Sequence, residues 1–95
     1  MDIKRNGNII EVDGIIKTIS DSELLINEIK EAANSGRVLV KINDSFSLPS
    51  TVIGALLKLK DNNVDIELEI KDEILYELLN DLNLVNQLNV RKISN

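Results

Sequence analysis

The chain has 95 residues, 43% of them hydrophobic, and a formal net charge of −5. That is enough apolar side chain for a single folded domain over residues 1–95, with one core and no more. With no cysteine and no histidine, disulfides, thiol nucleophiles, Cys/His zinc sites and histidine triads are excluded, and an acidic chain whose only aromatics are Phe46 and Tyr76 lacks the basic patch and stacking platform of a nucleic-acid binder.

Residues 2–5 and 8–12 read as two strands joined at Asn6-Gly7, a pair that tolerates the positive φ of a tight hairpin. Ser20-Asp21-Ser22-Glu23 reads as a capping box with Ser20 and Glu23 at the required spacing. Leu25, Ile29, Ala32 and Ala33 follow at helical spacing, and Gly36 closes that helix. Val38, Val40 and Ile42 alternate with Leu39 and Lys41 as a central strand. A second helix runs from Ser50 to Asn62, with Val52, Ile53, Leu56, Leu57 and Leu59 as its apolar set.

Over residues 64–70, Val64, Ile66, Leu68 and Ile70 alternate with Asp65, Glu67 and Glu69, which predicts one buried and one wet face. Asp72 caps a third helix with the stripe Ile74, Leu75, Leu78, Leu79 and Leu82; Leu88, Val90 and Ile93 mark a last short strand or tail. The order is ββαβαβα(β), an α/β chain. Helical crossovers imply a partly parallel, mixed sheet, and the clean alternation at 64–70 implies helices packed on one face only.

Few residues offer chemistry. Glu67, Glu69, Asp72 and Glu73 cluster in sequence and Asp44 follows the central strand, so they could pair as acid and base or hold a cation, but Glu67 and Glu69 on the wet face of a strand fit a solvated surface, and no calcium-loop spacing is present. No metal and no organic cofactor is expected. The opening residues lack the apolar core of a signal peptide, and no apolar run approaches the ~20 residues that span a bilayer, so a cytoplasmic protein without membrane insertion is expected.

The segment Pro49-Ser50-Thr51-Val52-Ile53-Gly54 stands between an apolar strand and a helix start, where unpaired N–H groups favour hydroxyls and anions. It resembles the Asp-Ser-Ser/Thr-Gly-Leu-Gly signature of STAS domains (sulfate transporter and anti-sigma factor antagonist), and the order of elements is similar over nearly the whole chain. Ser50 falls on the serine that anti-sigma factor antagonists have phosphorylated, and Thr51 on the second hydroxyl. Ile53 and Gly54 keep the Leu-Gly pair. Pro49 and Val52 replace the acidic residue and the first glycine.

The resemblance implies a non-enzymatic interaction domain that binds a cytoplasmic anti-sigma factor kinase. The alternative it implies is an accessory subunit of a membrane transporter, such as a lipid-transport ABC system. It makes Ser50 and Thr51 the phosphorylation candidates, and Ser47, Pro49, Ser50, Thr51, Ile53, Gly54 and Lys58 the partner-binding set. Two readings stay open at Ser50: a regulated phosphosite, or a plain N-cap. At Gly54 the choice is between a close-packing point and a surface gap, and packing is the expectation. Lys58 and Lys60 read as a solvated rim.

Overall fold

In the computed structural model, which describes residues 1–93, the chain alternates strands and helices. Strands β1 (Asp2–Asn6) and β2 (Ile9–Asp13) form an antiparallel hairpin. Helix α1 (Ile19–Ala32) crosses to β3 (Arg37–Ile42), α2 (Ser50–Asp61) to β4 (Asp65–Ile70), and α3 (Glu73–Asp81) with α4 (Leu84–Gln87) to β5 (Val90–Lys92). The five strands lie in sequence order, and β2 through β5 are parallel. Right-handed crossovers between neighbouring parallel strands carry every helix to the same face. The mixed sheet with helices on one face therefore stands as the sequence implies.

The core lies between that face and the helices. Val38, Val40 and Ile42 of β3 and Ile66, Leu68 and Ile70 of β4 point into it. Leu25 and Ile29 of α1, Val52 and Leu56 of α2, and Leu75 and Leu79 of α3 meet them with no exposed surface. Each such Leu or Ile contributes roughly 1.5–3 kcal/mol by leaving water.

Several local expectations shift. The α1 capping box is made by Thr18 and Asp21, not Ser20 and Glu23: the chain is still extended at Thr18, whose side chain takes the Asp21 N–H while Asp21 bonds back. Ser20 is therefore already helical. The end of α1 passes through a 3-10 turn (Ala33–Ser35) before Gly36, whose φ of 95° needs a residue without a Cβ. Asp72 caps α3 as expected, accepting from the Leu75 N–H at 2.9 Å. Only Leu75 and Leu79 of the α3 stripe are buried; Ile74, Leu78 and Leu82 are 70%, 45% and 53% exposed. Five apolar residues in nine positions cover too wide an arc for one contact with the sheet. Helix α4 was not legible, since four residues are too short for a periodic pattern.

The open face of the sheet is wet, but less so than the alternation implies. The Glu67 side chain is 46% exposed, while that of Glu69 is only 17% exposed, because Arg91 of β5 lies against it at 2.9 Å. Among the described residues, no helix is long and apolar enough to cross a membrane.

Candidate functional site

Residues 43–49, which carry the chain from β3 to α2, are fastened by side chains rather than by packing alone. Asn43 Nδ2 donates to Glu11 Oε2 at 2.9 Å and to Asp13 Oδ1 at 2.8 Å. Asp44 Oδ2 accepts from the Gly14 N–H at 2.8 Å. The Ser45 hydroxyl has no exposed surface; it accepts from the Ile16 N–H at 3.2 Å and donates to the Ser47 carbonyl at 2.7 Å. Ser47 Oγ lies 3.5 Å from the Ile16 carbonyl. These bonds tie the approach to α2 onto the approach to α1, so the two helix starts are held as a unit.

Helix α2 then begins without a side-chain cap. Pro49 takes the N-cap position with φ −58° and ψ 146°, and its carbonyl accepts from Val52 and Ile53 at 3.0 and 3.1 Å. The N-cap expectation for Ser50 is thereby corrected. The ψ of 146° keeps Pro49 extended just ahead of the helix, so Ser50 takes the first helical position. The side chains of Ser50 and Thr51 face solvent. Val52, standing where the STAS signature has glycine, is fully buried as a core residue.

Beside this helix start runs a groove between α1 and α2. Its upper part, about 450 Å³, is walled by Lys17, Ile19 and Glu23 on one side and by Pro49 and Ser50 on the other. Its lower part, about 440 Å³, is walled by Lys30 and by Gly54, Ala55, Lys58 and Leu59. Ile26 and Thr51 line both parts and make them continuous. Three lysines against one glutamate make the groove basic in a chain of net charge −5. The Asp21 carboxylate at the start of α1 is held below the usual carboxylate range, first by the Lys17 N–H and then by the Thr18 N–H.

Of the seven residues expected to meet a partner, Pro49, Ser50, Thr51, Gly54 and Lys58 line this groove together. Ser47 and Ile53 do not. Ser47 is half-buried in the loop network, and Ile53 is half-buried against the core on another side of α2. The packing expectation for Gly54 is also corrected: it is exposed, and a Cβ there would meet nothing within 4 Å. The α1 wall, Ile19, Ile26 and Lys30, escaped sequence reasoning. Its signal was present: Ile19 and Ile26 stand seven apart and off the Leu25–Ile29 core stripe.

The carboxylates serve structure. Asp44 and Asp72 accept backbone bonds, and Glu67 and Glu69 approach Arg91. No group of three His, Cys, Asp or Glu among the described residues is placed to hold a metal. No known protein-family model matches the sequence, and no curated protein matches it.

Proposed function

We propose that the chain is a non-enzymatic, STAS-like interaction domain that docks a cytoplasmic anti-sigma factor kinase at the start of α2 and the adjoining groove. The observation that carries this reading is the presentation of Ser50 and Thr51. Two exposed hydroxyls stand in an uncapped helix turn, beside a basic groove with an apolar floor, on a backbone pinned by Ser45 and Asp44. A pinned loop costs little ordering entropy on binding. A phosphate on Ser50 adds about −1.5 to −2 charges at the rim and changes what can dock.

Pro49 favours a second reading, the transporter accessory subunit. It supplies no acidic group to present Ser50 to a kinase, so docking through the same surface would proceed without phosphorylation.

The test is binding of a purified anti-sigma factor kinase, or of a transporter ATPase subunit, to the wild type and to Ser50→Asp and Ser50→Ala. The first reading expects the kinase to bind the wild type and Ser50→Ala and to release Ser50→Asp. ATPase binding indifferent to Ser50 supports the second. Kinase and ATPase binding both absent, or unaffected by blocking the groove with Gly54→Trp, overturns the proposal.

A further inference from the structure

Helix α3 carries a surface that the fold leaves uncovered. Its buried side is Leu75 and Leu79. One residue before each stand Ile74 and Leu78, continued by Leu82 just past the helix end, all exposed and four apart. Glu73, Glu77 and Asp81 repeat at the same interval, also exposed. Residues four apart share a helix face, so α3 shows an apolar stripe with an acidic row along it. Exposed apolar surface rimmed by one sign of charge marks a docking face.

The complementary surface is on the same molecule. The α1–α2 groove has an apolar floor at Ile26, Ala55 and Leu59, and its lysines are Lys17, Lys30 and Lys58. Of the acids of α1, only Glu23 lines the groove, at its upper end, and the three lysines outnumber it. Glu28 and Glu31 face β1, with Arg5 at 3.6 and 2.9 Å. Sizes agree: Ile74 to Leu82 spans about 12 Å of helix, and the groove from Ile19 to Lys30 about 16 Å.

We infer that two copies of this chain associate through their helix layers, α3 of each lying in the α1–α2 groove of the other. The helices follow the strands across the sheet, so α1, α2 and α3 come in that order across it, with α1 packed against α2. A two-fold axis parallel to the strands, placed between α2 and α3, lays each α3 over the other copy's groove. Both contacts form at once and the assembly closes as a dimer. The groove it fills is lined by Ser50 and Thr51, so the dimer and a docked partner exclude one another.

The experiment is sedimentation velocity on the purified chain alone, from about 10 μM to 1 mM, at low and high salt. The wild type is expected to dimerise, less at high salt. The groove variant Lys30→Glu/Lys58→Glu and the helix variant Glu73→Lys/Glu77→Lys should each raise the dissociation constant by about tenfold or more, as attracted exposed pairs become repelled ones. Mixing the two variants should restore the dimer, because each acidic α3 then finds a lysine groove and each basic α3 an acidic one. All four residues are exposed, and circular dichroism checks that the variants stay folded. Leu78→Ser tests the stripe without a charge change and should also dissociate the dimer. A chain monomeric throughout, a dimer indifferent to these variants, or variants that fail to pair when mixed overturns the inference, as does a monomer whose groove takes only a different protein.

Discussion

Gly54→Ala is the sharpest test of how α2 sits. Gly54 is the fifth residue of the twelve in α2, faces solvent, and leaves open space where a Cβ would stand. A glycine inside a helix costs about 0.8–1 kcal/mol relative to alanine, mostly through the freedom it regains on unfolding. Alanine adds no clash here, so the whole of that amount should appear as stability. With a urea m-value of about 1 kcal/mol/M for a small domain, the midpoint should rise by about 0.8–1 M with m unchanged. The melting temperature should rise by about 4–8 °C. Gly36→Ala is the control. Its Cβ also meets empty space, but at φ 95° alanine is strained and should cost about 1–2 kcal/mol. If Gly54→Ala lowers the midpoint or leaves it unmoved, the glycine is fitted against something, and the open groove wall drawn for α2 is wrong.

Leu56→Ala removes a fully buried side chain beneath α2 and should cost about 2–5 kcal/mol in urea unfolding; a loss under ~0.5 kcal/mol would put Leu56 outside the core. Caps discriminate the two helix starts: Thr18→Ala should cost about 0.5–2 kcal/mol, whereas Ser50→Ala should stay within ~0.5 kcal/mol because Ser50 caps nothing. Asp21 has a folded pKa below its unfolded one, so its contribution is full above the unfolded value and is lost as pH falls through the folded value. Stability should therefore drop as pH falls below about 4, and Asp21→Asn should flatten that slope; an unchanged slope would remove Asp21 from the cap.

The sheet was legible because its signal is local and repeated. Alternation at Val38, Val40 and Ile42 and at Ile66, Leu68 and Ile70 requires one apolar face, and short helical crossovers then leave little freedom of topology. The site was legible on the α2 side only. Hydroxyls at a helix start stand out in sequence, whereas the α1 wall depends on how α1 is rotated against α2, which no local pattern states. Position errors of one or two residues decided the caps. Ser20 with Glu23 and Thr18 with Asp21 keep the same spacing, and only the backbone at Thr18 chooses between them. The Ser45 network was invisible because its partners are backbone groups of another segment.

The uncovered side of the sheet bears on where association can occur. Register pairs Lys4 with Glu11, Glu11 with Lys41, Lys41 with Glu69 and Glu69 with Arg91, a row of alternating charge across all five strands. Of these neighbours Glu69 and Arg91 are in direct contact, at 2.9 Å, and an opposite-charge pair of that kind contributes roughly 0.2–1 kcal/mol. The same row disfavours a centred stack of two such faces. A centred two-fold along the strands brings β1 over β5 and β2 over β4; a two-fold across them brings each strand over its own copy. In both cases, with the axis through this row, lysine or arginine meets a cation and glutamate meets glutamate. Burying like charges together costs far more than the exposed pairs contribute. The pattern of β1 to β5 therefore works against a centred stack of two wet faces, whereas the helix layer carries both a basic groove and an exposed apolar helix stripe with an acidic row along it.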